Sequence, residues 1–297
     1  MSSTINTYKD RALVLEGGAM RGAFTAGALD CLLDNNIDFG YTIGVSAGST
    51  NALNFAARQR GRTIYADTTL LQERKYIGLG VWLRKGIMID MDLLFGEFST
   101  DIYPFDFDAF SRNENRFEIV TTDCVTGEAR YFEKCADRDS GKEWDWDRMS
   151  MIAQASSSLP FLNNRVVVDG REMLDGGLSD SVPLARAMSH GYGKALVILT
   201  QCAGYRKERK FKLPNFLYRK FPRIVELLNS RAERYNRDCE WIEELERKEA
   251  ESGNNDIIII RPTPPLEVGR LTTDATKIKA LYEQGYEAAK SILHKLK

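Results

Sequence analysis

The amino-acid sequence predicts an α/β fold in which a central, mostly parallel sheet is flanked by helices. The chain opens with a strand–helix–strand–helix succession over residues 12–61, a spacing typical of parallel strands joined by helical crossovers. Two later apolar runs, KALVILTQ (194–201) and NDIIIIRP (255–262), have the continuous hydrophobicity of strands buried on both faces. A chain of 297 residues, 43% of them hydrophobic, is long enough to bury such a sheet. We therefore expect one domain over residues 1–297.

The first two strand–helix units are predicted in detail. A strand over residues 12–15 runs into paired glycines and is followed by GAFTAGALDCLLDNN (22–36), a helix with Phe24, Ala28 and Leu32 on one face. YTIGV (41–45) is the second strand, and the helix after it is expected to close at Gly61.

The remaining elements follow in order. Residues 62–115 contain apolar helical pieces and an aromatic-rich stretch, and residues 116–134 are expected to form two strands joined around Thr126-Gly127. A helix ends near Pro160, Asp169-Gly170 forms a type I′ hairpin turn, and Pro183 opens a short helix. The last part, 205–297, is expected to be an extension on the same domain, with a long charged helix at 222–252, the strand within 255–262 and a helix at 272–296.

Composition excludes several functional classes. A net charge of −1 argues against nucleic-acid binding, because no positive field attracts phosphates. Five scattered cysteines without a C-x-x-C pair argue against a disulfide framework or a zinc site. The first residues are too polar for a signal peptide, and no apolar run approaches the roughly 18 residues that span a bilayer. We expect a cytoplasmic protein that meets lipid, if at all, from the surface.

The stretch GVSAG (44–48) matches the G-x-S-x-G pattern of a serine nucleophile. Ser46 follows a predicted strand and precedes a predicted helix, and the flanking Gly44 and Gly48 relieve crowding in the sharp turn that exposes the hydroxyl. The alternative is a serine that only caps the helix. Ser46 comes too early in the chain for an α/β-hydrolase, and the H-G-G-G element of that fold is missing.

A glycine-rich turn, LEGGAMRG (15–22), lies between the first strand and the first helix. Its free amide groups suit a phosphate or the oxyanion of a tetrahedral intermediate. Its spacing fits neither a dinucleotide fingerprint nor a Walker loop, so nucleotide binding is the weaker interpretation. A purely structural glycine turn is the other alternative.

The general base is expected to be an aspartate. The chain has only two histidines, His190 at a helix end and His294 near the C-terminus, and neither position favours catalysis. Asp175 ends an apolar strand and precedes Gly176 and Gly177, where the backbone can approach another loop closely. An aspartate can serve as base only beside strong stabilisation of the oxyanion.

The motifs EGGAMRG, GVSAG and DGG, in this order, resemble those of the patatin-like phospholipases, lipid acyl hydrolases with a Ser–Asp dyad. ASSSLPF (155–161) and TTDCVTGEARYF (121–132) are also similar to family segments, and the resemblance covers residues 10–200. It implies Ser46 as nucleophile, Asp175 as general base, and the amides of Gly17, Gly18 and Ala19 as the oxyanion hole. Arg21 is the family's basic loop residue, and Gly22 completes the loop. Ala19 in place of a third glycine requires a negative or mildly strained φ, and LSDSVP lacks the asparagine often found before the proline.

The resemblance further implies an acyl-enzyme mechanism on a lipid or acyl ester, with no metal and no cofactor. Residues 78–110 are expected to form a lid over an apolar entry, or else ordinary core helices. Residues 205–223, basic and aromatic, are expected to touch anionic membranes, or else to form a solvated loop. The alternative function is a catalytically idle lipid- or acyl-binding regulator on the same fold.

Overall fold

The computed structural model describes residues 5–134, 144–208, 212–214 and 218–296. Within these residues the strands of one sheet are β1 (Asn6–Leu15), β2 (Ile37–Val45), β3 (Arg116–Asp123), β4 (Ala129–Glu133), β5 (Val166–Val168), β6 (Arg171–Asp175), β7 (Lys194–Ile198) and β8 (Ile257–Ile260). Parallel pairings join β8, β7, β1, β2 and β3, in that spatial order. The strands β4, β5 and β6 add antiparallel pairings at the side of β3. The predicted mostly parallel α/β sheet is confirmed.

The α-helices are α1 (Gly22–Asp34), α2 (Ala47–Ala56), α3 (Arg62–Tyr65), α4 (Leu71–Arg74), α5 (Leu79–Lys85), α6 (Phe107–Arg112), α7 (Trp146–Ser157), α8 (Leu184–Ser189), α9 (Pro222–Ser252) and α10 (Ala275–Ile292). Two π-helical segments, Ala66–Leu70 and Leu93–Ile102, interrupt the region between α3 and α6. Short 3₁₀ turns cover Ala19–Arg21, Gly176–Leu178 and Leu293–Lys295. None of the helices in the described ranges is long and apolar enough to cross a bilayer.

Two boundaries differ from the sequence prediction. The first two strands are longer than predicted, because their pairing with each other continues back to Asn6 and Ile37. The helix after Ser46 ends at Ala56 and not at Gly61, because Arg58 adopts a left-handed backbone (φ 56°) that a helix cannot continue. Gly61 precedes α3 instead of closing α2.

The hydrophobic core lies on both faces of the sheet. Along β1, Leu13 and Leu15 face one cluster, whereas Ala12 and Val14 face the other, which is the period of two that a strand imposes. The C-terminal helix α10 packs against α1 at a close crossing. A side chain at Gly285 would overlap the carbonyl oxygen of Phe24 there.

One feature of the sheet brings distant residues together. The strand β4 occupies one edge of β3, and β2 and β6 lie end to end along the opposite edge. Val45 at the end of β2 pairs with Val120, and Asp175 at the end of β6 pairs with the next residue, Thr121. The residue after Val45 is Ser46, so the register places Ser46 and Asp175 side by side.

Candidate active site

Ser46 occupies the sharp turn between β2 and α2, with φ 55° and ψ −127°. Such a backbone costs a non-glycine residue about 1–3 kcal/mol, so the surrounding contacts must hold it. The Ser46 N–H donates to Ser156 Oγ at 2.9 Å, and the Ser46 carbonyl accepts from the backbone N–H and the hydroxyl of Ser49. The strain and its support are those of a nucleophile elbow.

The two glycines of G-V-S-A-G are required by close backbone approach. A Cβ on Gly44 would lie 2.5 Å from the Gly48 carbonyl oxygen, and a Cβ on Gly48 would lie 2.6 Å from the Leu15 carbonyl oxygen. The elbow is therefore packed against the end of β1, where the glycine-rich loop begins.

The Ser46 hydroxyl lies beside the Asp175 carboxylate in one cleft, close enough to lower the pKa of Asp175. Asp175 Oδ1 also accepts the Gly177 N–H at 2.7 Å. The two residues are buried, with 8% of Ser46 and 2% of Asp175 exposed. Burial raises the pKa of Asp175 above its ordinary value, although the positive charge of Arg231, the nearby Ser46 hydroxyl and the Gly177 N–H oppose the rise. An aspartate with a raised pKa is a stronger base than an exposed one.

Neither histidine lies in the cleft that contains Ser46 and Asp175. The His190 Nε2 atom lies 3.2 Å from Glu118 and 3.1 Å from Arg116, and its ring packs against Tyr41 in the middle of β2. His294 is exposed in the last 3₁₀ turn. The Ser46 hydroxyl thus contacts a carboxylate and no imidazole.

The glycine-rich loop faces the same cleft. Within the described ranges, the N–H groups of Gly17, Gly18 and Ala19 donate no hydrogen bond, which leaves them available to an oxyanion. Thr200 Oγ1 fixes the loop by donating to the Gly17 carbonyl at 3.0 Å, and the Thr200 N–H donates to Glu16 Oε2 at 2.6 Å.

Ala19 has a left-handed backbone with φ 50°. A left-handed residue with a Cβ costs roughly 1–2 kcal/mol, so the third loop position does carry strain. Arg21 next to it is buried, and its Nε has no hydrogen-bond partner in the described part of the chain. Gly22 lets α1 approach α2, because a Cβ there would lie 3.0 Å from the Ala47 Cβ.

Segment 155–161 forms hydrogen bonds to the backbones of both Ser46 and Asp175. Ser156 Oγ accepts the Ser46 N–H and donates to the Val120 carbonyl at 2.7 Å. The Ser158 carbonyl accepts the Asp175 N–H at 2.8 Å. Sequence reasoning singled out this segment only through the family resemblance and assigned no role to its serines.

The long helix α9 also contributes to the site, which sequence reasoning missed. Arg231 Nε donates to the Gly177 carbonyl at 3.2 Å, and Arg234 donates to the carbonyls of Leu178 and Ser179 at 2.5 and 3.1 Å. These bonds fix the turn after Asp175, where Gly176 lies against the Val120 carbonyl. In the sequence the two arginines are indistinguishable from the other charges of a solvated helix.

Two cavities meet at Ser46. The larger, of about 150 Å³, is mainly apolar. Its walls include Met20, Leu53, Met91, Phe98 and Met149. The second is a narrower polar cleft beside Asp175 whose walls include Glu16, Lys207, Arg231 and Arg270. Ser46, Ala19 and Leu159 line both cavities, so an ester bound at Ser46 has an apolar and a cationic side.

Residues 78–110 contribute to the apolar cavity through Ile89, Met91, Leu94 and neighbouring side chains. Within this segment, α5 exposes three apolar residues, with 65% of Leu79, 48% of Trp82 and 72% of Leu83 accessible.

In segment 205–223, residues 209–211 and 215–217 lie outside the described residues. Arg206 pairs with Glu243 and Lys220 pairs with Glu172, while Phe221 is buried in the core.

Metal-ligand clusters of three or more His, Cys, Asp or Glu side chains are absent from the described part of the chain. Cys31, Cys124, Cys202 and Cys239 are free thiols, and Cys135 lies outside the described residues.

Comparison with known proteins identifies the family. The patatin-like phospholipase family model matches residues 13–188, and a model of a domain of unknown function, DUF6363, matches residues 221–297. The first match covers more than half of the chain, which therefore belongs to the patatin-like phospholipase family.

Two individual proteins are similar to the chain. It is 31% identical over 196 residues to the uncharacterized protein YjjU of Escherichia coli (strain K12), a span of 63% of this chain and 51% of YjjU. The chain thus spans about half the length of this curated relative. Among solved structures, VipD from Legionella pneumophila aligns with 96% of this chain and 66% of its own, at 13% identity and a TM-score of 0.45.

Proposed function

We propose that this member of the patatin-like phospholipases is a serine lipid acyl hydrolase of the phospholipase A or carboxylesterase type, with Ser46 as nucleophile and Asp175 as general base. The observation that carries the proposal is the juxtaposition of the buried Ser46 hydroxyl and the Asp175 carboxylate in one cleft, at the point where an apolar cavity meets a loop of free amides. This arrangement supplies nucleophile, base, oxyanion donors and acyl site together.

In the first half-reaction, Ser46 Oγ attacks the ester carbonyl carbon and Asp175 takes the hydroxyl proton. The carbonyl oxygen becomes an oxyanion, which the amides of Gly17, Gly18 and Ala19 stabilise. The tetrahedral intermediate collapses, the bond to the alcohol oxygen breaks, and Asp175 returns the proton to that oxygen. The acyl group remains on Ser46 with its chain in the apolar cavity.

In the second half-reaction, a water molecule attacks the acyl-enzyme while Asp175 accepts its proton. The same amides hold the second oxyanion, and the proton returns to Ser46 Oγ as the carboxylic acid departs. The raised pKa of Asp175 assists both proton transfers, because it brings the base closer in strength to the groups that it deprotonates.

The test combines fluorophosphonate labelling with hydrolysis of short and long p-nitrophenyl esters. Ser46→Ala should abolish labelling, and Asp175→Asn should lower turnover by about 10²–10⁴-fold, the usual contribution of a general base. Asp169→Asn, at the chain's other Asp-Gly hairpin position, is the matched control and should change neither. If Ser46→Ala and Asp175→Asn leave labelling and turnover intact, the dyad assignment is wrong.

The second candidate is a catalytically idle lipid- or acyl-binding regulator. The apolar cavity supports this candidate too, because it can bind an acyl chain without any catalysis. Absence of both labelling and hydrolysis in the wild type, together with saturable binding of a fluorescent fatty acid, would favour it over the enzyme.

The lid and the membrane contact are further parts of the proposal. The exposed Leu79, Trp82 and Leu83 on α5 support a lid over residues 78–110 that meets a lipid surface, with Arg84 and Lys85 beside them. For residues 205–223 the expected contact with anionic headgroups stays a prediction. Co-sedimentation with vesicles of increasing anionic lipid content tests both segments, using Trp82→Ser and neutralised Lys212 and Arg219. Binding that is independent of anionic lipid and of these changes would contradict the proposal.

We also propose that residues 1–297 form one domain, which the close packing of α1 against α10 supports. The free thiols support a cytoplasmic location, which cell fractionation can test.

A further inference from the structure

Three basic side chains from the chain beyond residue 200 line the polar cleft beside Ser46 and Asp175. Lys207 follows β7, Arg231 lies on α9, and Arg270 lies in the loop between β8 and α10. All three act electrostatically on one another or on the dyad, since Arg231 and Arg270 both lower the pKa of Asp175 and that of Lys207.

These positive charges have few partners inside the protein. Within the described ranges, the Arg270 side chain makes no hydrogen bond or ion pair, and Arg231 uses only its Nε, toward the Gly177 carbonyl. The Lys207 ammonium lies 3.2 Å from the centroid of the Tyr235 ring and forms no ion pair with a described carboxylate.

The nearest acid does not neutralise the cluster through direct contact. Glu16 accepts hydrogen bonds from the Thr200 N–H, the Thr200 hydroxyl and the Tyr235 hydroxyl, at 2.6, 3.1 and 2.8 Å. Asp175 is engaged by Ser46 and Gly177. The cleft thus gathers two arginines and a lysine around two carboxylates that already have other partners.

Positive charges gathered in a partly desolvated cleft repel one another, and Glu16 and Asp175 offset only part of the cost. Burial and the neighbouring arginines lower the pKa of Lys207 to about 6. An anion bound in the cleft would stabilise all three cations and would restore the charged form of Lys207.

We infer that Lys207, Arg231 and Arg270 form a subsite for the phosphate of an acylated glycerophosphate, so that the preferred substrate carries an anionic group on the alcohol side of the scissile ester. The inference rests on the proposed hydrolase function. The acyl chain lies in the apolar cavity, the ester carbonyl lies at Ser46, and the glycerol backbone carries the phosphate into the cationic cleft. Lys207, Arg231 and Arg270 would then select the substrate, while Ser46, Asp175 and the glycine-rich loop perform the chemistry.

The test compares two monomeric esters with the same chains, dihexanoyl phosphatidic acid and dihexanoylglycerol. We expect the wild type to prefer the phosphate-bearing ester by at least roughly tenfold in kcat/KM, the usual effect of a charge-assisted hydrogen bond. Lys207→Gln and Arg270→Gln should each reduce this ratio about tenfold, and Arg270→Lys should restore part of it. Because one dyad cleaves both esters, the ratio is insensitive to changes in Asp175 basicity.

Arg237→Gln is the matched control, because Arg237 is exposed on α9 and lies outside the cleft. The kcat/KM ratio of the two esters in Arg237→Gln should equal that of the wild type. Equal ratios in the wild type and in both cleft variants would overturn the inference while leaving the hydrolase intact. Loss of the hydrolase itself is recognised separately, by absent fluorophosphonate labelling at Ser46.

Inhibition distinguishes a lipid headgroup from a free anion. A headgroup subsite predicts that glycerol 3-phosphate competes better than inorganic phosphate, with an inhibition constant that rises about tenfold in Arg270→Gln. Inhibition by inorganic phosphate alone, without any preference between the two esters, would refute the headgroup assignment. Calorimetric titration of the Ser46→Ala variant with glycerol 3-phosphate and with inorganic phosphate compares the two affinities without turnover.

Discussion

Ser156 supports the strained turn at Ser46, and its removal is the sharpest test of that role. In Ser156→Ala the Ser46 N–H loses its hydrogen-bond acceptor, and the Val120 carbonyl loses a donor. Ser156 and Val120 are fully buried, and Ser46 is 8% exposed, so water replaces these bonds poorly. An unsatisfied buried donor costs about 1–3 kcal/mol and a lost neutral hydrogen bond about 0.5–1.5 kcal/mol, which together give a destabilisation of about 1.5–4.5 kcal/mol.

Urea denaturation followed by circular dichroism measures this loss. With an m-value of about 3 kcal/mol/M, the midpoint should fall by roughly 1 M. The strained backbone of Ser46 also loses an anchor, so the rate of fluorophosphonate labelling should fall at least about tenfold, since small misplacements of reacting groups are costly.

The neighbouring serine provides a matched control for stability. The Ser157 hydroxyl is buried without a hydrogen-bond partner in the described residues, so Ser157→Ala removes no bond. The free energy of unfolding of Ser157→Ala should differ from that of the wild type by less than about 0.5 kcal/mol. If Ser156→Ala and Ser157→Ala have the same midpoint and Ser156→Ala labels at the wild-type rate, the elbow does not depend on Ser156.

Three further outcomes are expected. Arg231→Gln removes a positive charge that lowers the pKa of Asp175, so the acidic limb of kcat/KM should move to higher pH, and an unmoved limb would contradict the coupling. Burial raises the folded-state pKa of Asp175, so its stabilising contribution is complete below the unfolded pKa and is lost as pH rises through the folded pKa. At pH 7, Asp175→Asn should therefore keep or raise Tm in calorimetry while activity falls, and a lower Tm would reverse the sign of this argument. Gly285→Ala forces α10 away from α1 and should cost at least about 1–3 kcal/mol in urea denaturation. Gly80→Ala on α5, whose Cβ would meet only Arg84 Nη1 at an ordinary 3.8 Å, should be neutral or stabilising.

The fold was predictable to the extent that its determinants are local. The strand–helix succession, the Asp169-Gly170 turn with φ of 51° and 74°, and the helix over Pro222–Ser252 all match the sequence prediction. The closure of α2 at Gly61 was wrong, because a glycine is only one way to end a helix and Arg58 turns the chain earlier. Residues 62–115 carried no clear period, and the structure shows short helices interrupted by π-helical segments there.

For the candidate site, the sequence by itself determined the chemistry near each motif. The G-V-S-A-G turn, the glycine pair at 17–18 and the D-G-G end of a strand each follow from what a sharp turn requires of its residues. The scarcity of histidine was also a sequence fact, and it directed attention to Asp175.

The tertiary structure alone decided which of these parts meet. Ser46 lies beside Asp175 because β2 and β6 share one edge of β3, in a register that pairs Val45 with Val120 and Asp175 with Thr121. The arginines of α9 and the lysine at 207 reach the cleft only through this packing, since a charged residue has the same local pattern on a solvated face as in a binding site. Contacts between residues more than a hundred positions apart depend on the register of a sheet, which no short stretch of sequence contains.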